Sequence, residues 1–297
     1  MKKFLLITFI CCLSISFIHA QSEEAAEPVS NWKLSGAASV TMTQSSFSNW
    51  ASGGQNSIAG VVSGGLNLGY TKDKWNWSNQ LDAAYGLMLQ GSDRSKTDDR
   101  LEFSSKLGYK ASKTWSYTAL TQFKTQFDKG YKEYPIKNKH LYTSGFFAPA
   151  YLTISLGMDY KPNADLSVFL SPLTMRTTFV YDDSLSNGGA YGVDPGDNIL
   201  NEYGAFIKAT YQKKFSERIL LKTKLELFSN WVDKPQNIDV NWEVDIDFKV
   251  TKWLSTKLYT QLIYDDNIRI KDPDTGILGG PKVQFKEVLG IGLSYIF

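Results

Sequence analysis

The sequence predicts an all-β protein: a transmembrane, antiparallel, up-and-down β-barrel of about 12 strands, preceded by an N-terminal signal peptide. Three observations predict it. A short apolar stretch opens the chain. Long runs of strict apolar–polar alternation follow it. The connections between those runs alternate between tight and long.

Lys2 and Lys3 form a basic start, Phe4 to Ile18 an apolar core, and Ala20 the residue before an expected cleavage. The organisation read from this is a signal peptide over 1–20, a short periplasmic segment over 21–31 and a barrel over 32–297. Cys11 and Cys12 both lie in the leader, so the mature chain has no thiol for a disulfide, a nucleophile or a metal. Without Lys2 and Lys3 the 32 basic residues become 30, equal to the 30 acidic ones. A neutral chain makes no general case for nucleic-acid binding.

Composition separates a barrel from a helical bundle. Aromatics reach 14%, yet mean hydropathy is slightly negative. Beyond the leader no apolar run approaches the roughly 18 residues of a spanning helix. A barrel strand needs an apolar residue only at every second position.

The strands show this directly. In Trp75–Gln90, Trp75, Trp77, Leu81, Ala83, Tyr85, Leu87 and Leu89 share one face, and Asn76, Ser78, Gln80 and Asp82 the other. In 238–250, Ile238, Val240, Trp242, Val244, Ile246, Phe248 and Val250 alternate with Asp239, Asn241, Glu243, Asp245, Asp247 and Lys249. The expected spans are 32–43, 58–71, 75–90, 100–110, 114–127, 149–161, 165–182, 202–213, 217–231, 237–250, 253–265 and 282–297. Tight connections at 72–74, 111–113, 162–164, 214–216 and 251–252 alternate with longer ones near 44–57, 91–99, 128–148, 183–201, 232–236 and 266–281. An even strand count puts both barrel ends on the periplasmic side.

Tyr70, Trp75, Trp77, Tyr109, Trp115, Tyr117, Tyr160, Tyr211 and Phe248 sit beside the tight turns. Phe127, Phe179, Tyr181, Tyr203, Phe228, Trp231 and Tyr264 sit near the opposite strand ends. Two interfacial girdles are expected from this spacing. Leu293, Tyr295 and Phe297 continue the alternation of Leu289 and Ile291, and resemble the terminal-strand signal read by barrel-assembly machinery. Lipid and that machinery are therefore expected partners. In 165–182 the apolar parity switches at Ser171 and Pro172, which predicts a β-bulge there. Glu287 falls on outward parity; it lies above the hydrocarbon or follows a second bulge.

The inward parity carries both charges. A hairpin register pairing Trp231 with Ile238 would set Lys224 against Asp245 and Lys222 against Asp247, with Lys257 near Asp247 and Glu243 on the same wall. These residues either solvate the lumen in mutual pairs or form a filter for a charged solute.

The segment Ser46–Asn56 (SFSNWASGGQN), then Phe123–Tyr131 (FKTQFDKGY) and Phe169–Val180 (FLSPLTMRTTFV), resemble motifs of domain of unknown function 3078, a family of predicted outer-membrane barrels. The resemblance implies an envelope location and a barrel fold, and no activity. Asn49, Trp50, Gly53 and Gly54 read either as a structured first loop or as a loop folded into the mouth.

Enzymatic signatures are sparse. His140 is the one histidine after the leader, and a barrel hydrolase would need it as base. No GxSxG, P-loop or HExxH motif occurs. Asp272, Asp274 and Gly276 make a faint calcium-loop pattern, and Asp194, Asp197 and Asn198 a fainter one; ordinary turns account for both. No metal or cofactor is expected. Three functions stay open: a passive channel or transport barrel for small solutes, a plugged structural or partner-binding barrel, and an outer-membrane hydrolase.

Overall fold

A computed structural model describes residues 30–46, 56–91, 93–131, 142–271 and 278–296. Twelve antiparallel strands close into one barrel, each paired with its sequence neighbours and the last with the first. They are β1 (Trp32–Ser45), β2 (Ser57–Lys72), β3 (Trp75–Gln90), β4 (Asp93–Lys110), β5 (Trp115–Thr125) and β6 (Ala150–Tyr160), then β7 (Leu166–Phe179), β8 (Ile199–Lys214), β9 (Ile219–Asn230), β10 (Ile238–Lys249), β11 (Leu254–Tyr264) and β12 (Gln284–Ile296). Two short ribbons stand outside the barrel sheet: Gly130–Tyr131 with Tyr142–Ser144, and Arg269–Lys271 with Leu278–Pro281.

The apolar face points outward. Trp242 is 47% exposed and Leu293 53%, while Thr118, Gln122, Glu226 and Glu243 are buried on the opposite parity. A water-soluble barrel would reverse this, because exposed apolar area on that scale is costly in water. Met42, Val62, Leu66, Leu81, Phe103, Leu156 and Leu289 extend the outer belt around the circumference.

Turn chemistry explains the tight ends. Ser112, Asn163, Ser216 and Thr251 each place a side-chain oxygen where it accepts two backbone N–H groups, those of Thr114 and Trp115, Asp165 and Leu166, Arg218 and Ile219, and Trp253 and Leu254. A short polar side chain thus stands in for a missing ladder partner three residues before the next strand. Beside these turns, aromatics meet across strands: Trp32 with Tyr70, Trp75 with Tyr109 and Trp115 with Tyr160, at ring separations of 4.8, 5.0 and 4.8 Å. At the long-loop end Phe127, Tyr181, Tyr203 and Trp231 are exposed, as a second girdle requires.

The bulge at Ser171 and Pro172 is present. Between Leu170 and Leu173 the strand advances three residues while β6 advances two, from Met158 to Leu156. The same slip appears against β8, where Gly204 and Phe206 face Thr174 and Ser171. The extra residue turns Leu173 outward and Thr174 inward, which restores the apolar exterior. Its neighbours must yield: a β-carbon on Gly157 would collide with the Leu170 carbonyl and Ser171 Cα. Glycine is required there by close approach, not by backbone angle.

Four expectations change. The connection expected over 91–99 shrinks to residues 91 and 92, because β4 begins at Asp93. Its charges are satisfied at the strand end, Lys96 by Asp99 and Asp98 by Lys286, and an extra residue at Thr97 adjusts the register. The β9–β10 register is displaced by two residues, setting Ser229 opposite Ile238. Asn230 causes this: its Oδ1 accepts from Val232 N and Asp233 N, so the turn takes up Trp231. Phe228 is not a girdle residue but a lumen one, 4% exposed, since its parity is that of Glu226. No bulge precedes Glu287; β11 and β12 pair without a shift, and Glu287 faces outward between Phe285 and Leu289. The signal peptide, the first-loop residues Asn49, Trp50, Gly53 and Gly54, as well as His140, Asp272, Asp274, Gly276 and Phe297, lie outside the described residues. Leu293 and Tyr295 are described, and both side chains point outward.

Gly157→Ala should destabilise the barrel by about 1–3 kcal/mol, the usual cost of overpacking against backbone. Gly60→Ala, whose β-carbon would come no nearer than 4.0 Å to Thr41 O, should be close to neutral. Urea unfolding in lipid vesicles, read by the heat-modifiable gel shift, compares the two; equal stabilities would contradict the bulge geometry.

Candidate functional site

An inward-facing charge in a barrel needs a partner from another strand, because the wall behind it is lipid. The mid-height lumen meets that demand across the bore. Glu226 on β9 accepts from Lys124 Nζ on β5 at 2.5 Å and Gln122 Nε2 at 2.9 Å, with Lys208 Nζ of β8 at 3.4 Å. Lys224, two residues along β9, reaches Glu102 on β4 at 3.0 Å and Glu243 on β10 at 2.8 Å. Arg100 on β4 donates to Tyr259 Oη at 2.9 Å and approaches Glu243 Oε2 at 3.4 Å. In a ring of twelve, β4 and β10 stand on opposite sides. The Arg100–Glu243 and Lys224–Glu102 contacts therefore cross the lumen and form a charged septum.

Bulk is distributed unevenly around this septum. On the β5–β9 side Leu120, Phe169, Phe206 and Phe228 pack into a buried apolar cluster inside the barrel. The Arg176 guanidinium lies over the Phe228 ring at 4.1 Å. The facing wall is made of small residues: Ser35, Ala37, Ser39 and Thr41 on β1, and Ser63 and Gly65 on β2. A cavity remains on that side, lined in part by Thr41, Ser63, Ala84, Arg100 and Tyr259.

At the long-loop mouth Arg176 is held by Glu202 at 2.7 Å and Asp239 at 2.5 Å. Asp265, just beyond β11, joins this group. Burial lifts its carboxyl to about 6, and the neighbouring Asp239 and Glu202 add to the rise against the pull of Arg176. Toward the short turns Lys106 pairs with Asp159 at 3.1 Å, and Ser167 donates to the same carboxylate.

Of the residues singled out from the sequence, Lys224, Glu243, Asp245 and Lys257 all enter this interior. Lys224 meets Glu243 rather than Asp245, because of the two-residue displacement of the hairpin. Lys257 pairs with Asp245 at 2.8 Å, although it lies opposite Asp247 in the ladder. Lys222 faces Asp245 in register but stays exposed toward the short turns. Asp194 and Asp197 close an ordinary turn, with Asp197 N donating to Asp194 O.

Sequence reading missed Arg100, Glu102, Lys124, Lys208, Glu226, Arg176 and Glu202. The inward parity of Lys124, Lys208 and Glu226 was visible; their partners were not, because cross-bore pairs follow from barrel closure. Lys124 and Arg176 both lie in segments quoted above for the family resemblance.

Residues 42–131 match the model of one family, described as Protein of unknown function (DUF3078). The SFSNWASGGQN and FKTQFDKGY segments fall in that DUF3078 match. Residues 152–275, which include FLSPLTMRTTFV, match a second model described as Protein of unknown function, DUF481. No curated protein matches the chain. Solved structures similar to it include the translocator domain of autotransporter NalP from Neisseria meningitidis, with 9% identity, 92% of this chain and 90% of that chain covered, and a TM-score of 0.39. An outer membrane channel from Pseudomonas putida F1 shows 12% identity, 92% and 100% coverage and a TM-score of 0.39. The NanC porin shows 8% identity, 87% and 98% coverage and a TM-score of 0.40.

Two outcomes follow. Glu226→Gln leaves Lys124 and Lys208 without their counter-charge and should cost about 3–5 kcal/mol, as breaking a buried pair does; urea midpoints in vesicles would show it. A carboxyl whose folded value is raised above its ordinary 3.8 destabilises the fold when ionised. Stability should therefore rise as pH falls through about 6 and level off near 3.8, and Asp265→Asn should flatten that slope.

Proposed function

We infer that the chain is an outer-membrane transport barrel of a Gram-negative envelope, passing small solutes through a lumen controlled by its charged septum. The observation that carries this reading is the cross-bore set Arg100–Glu243 and Lys224–Glu102. These contacts close the passage with side chains, not with backbone. Salt bridges between long, rotatable side chains can exchange partners without disturbing the wall. The contents of the septum are of both signs, so passage depends on partner exchange rather than on one repelling charge. The small-residue wall of β1 and β2 gives a solute room beside the septum.

A second reading has its own support. Leu120, Phe169, Phe206 and Phe228 are packed as in a soluble core. A solid interior of that kind suits a structural or partner-binding barrel, whose loops and not its lumen carry function.

Single-channel recording in planar bilayers separates the two. The wild-type barrel should show a small, flickering conductance. The Arg100→Ala/Lys224→Ala pair should raise it about tenfold, as expected when charged constrictions are removed. A barrel that folds, inserts and stays silent in both forms would leave the structural reading.

A further inference from the structure

Every junction of the barrel wall but one is registered over ten or more residue pairs. The exception is the closure of β1 on β12. Among the described residues it is registered over six, from Ala37–Ile296 to Met42–Ile291. Among the described residues β1 continues toward the long-loop end to Ser45, and Thr43–Ser45 do not pair with Val288–Gly290 beside them. Across this stretch the Thr43 hydroxyl donates to the Leu289 carbonyl at 3.2 Å. A membrane barrel ordinarily pairs its backbone throughout the hydrocarbon, so an unzipped stretch calls for a reason.

Two independent features coincide with it. On the outside, the apolar belt is interrupted by polar side chains: Gln44 on β1 and Glu287 on β12, both exposed, with Thr260 opposite Glu287. Phe285 and Leu289 flank Glu287 on the same face, exposed at 64% and 58%. On the inside, the cavity beside the septum reaches this junction, since Thr41 of β1 and Val288 of β12 both line it. Gly290 and Gly292 add no side chain between the two. Asp98, Arg100, Lys257 and Tyr259 form its polar end; Asp98 is neutralised by Lys286, and Arg100 Nε is buried without a hydrogen-bond partner among the described residues.

We propose that the stretch of the β1–β12 junction where Thr43–Ser45 lie beside Val288–Gly290 is a lateral portal, through which an anionic amphiphile passes between the bilayer and the cavity. Its carboxylate meets Arg100 and Lys257, and its chain lies in the unzipped seam. The septum below then turns the passage sideways rather than straight through the bore. The inference rests on the transport reading and specifies its substrate class: a long-chain carboxylate.

The test uses the full-length barrel in vesicles with a diazirine-labelled long-chain fatty acid. Photolabelling should map to Thr41 and Val288, and palmitate should compete while its methyl ester should not. Arg100→Gln should reduce labelling about tenfold, the value of one charge-assisted hydrogen bond. Continued register sets Gln44 opposite Leu289, so Gln44→Cys/Leu289→Cys should staple the seam. The oxidised staple should abolish labelling of the cavity, and reduction should restore it. Labelling confined to the outer belt, labelling unchanged by the closed staple, or equal competition by the ester or by phosphatidylglycerol would each overturn the proposal. The same oxidised barrel should keep its ion conductance. A barrel without conductance that still labels in the cavity would overturn the transport reading and leave the portal standing.

Discussion

Inversion governs this molecule. Lipid accepts the apolar face, and everything polar must find its complement within a closed ring. The consequence is visible in the charges: Glu226, Lys224 and Arg100 are each held by residues from distant strands. In a soluble protein such groups would turn to water. Here the wall denies them that route, and the bore is narrow enough for one lysine to reach across it. The same constraint explains why the interior combines ion pairs with the buried Phe169 and Phe206. A lumen that is partly filled by hydrocarbon side chains leaves fewer charges to reconcile.

The exterior and interior thus obey different logics. Outside, position along the strand decides identity: aromatics near the turns, aliphatics between them. Inside, position around the ring decides it. Bulky and charged groups gather on β4 to β12, while β1 and β2 contribute mainly serine, alanine, glycine and threonine. That asymmetry leaves the cavity against the closing strands, and places it where the wall is least completely hydrogen-bonded.

Much of this was legible in the sequence. Strand number, direction and facing follow from alternation, and even the slip at Ser171 could be read from Leu170 and Leu173 changing parity. The tight turns were marked by Ser112, Asn163, Ser216 and Thr251. What could not be read were relations between strands far apart in the chain. Arg100 opens an expected strand, but its partners Tyr259 and Glu243 lie across the bore, more than 140 residues away in the chain. The Lys224 partner was misassigned because one asparagine, Asn230, moves a hairpin by two residues without changing any facing. Phe228 looked like an interfacial ring because aromatic content alone does not distinguish the two faces of a wall; its parity does.

The bulge in β7 has a further meaning. It acts as a change of phase in the chain: loopward of Ser171, inside and outside are written with the opposite parity. Arg176, and not Met175, is thereby admitted to the mouth, where Glu202 and Asp239 receive it. Elsewhere in the barrel wall a lone insertion or deletion would swap lipid-facing and water-facing residues along the remainder of a strand. Here, as at Thr97 in β4, the chain already carries such an insertion, so the offset is a heritable part of how the sequence encodes the barrel.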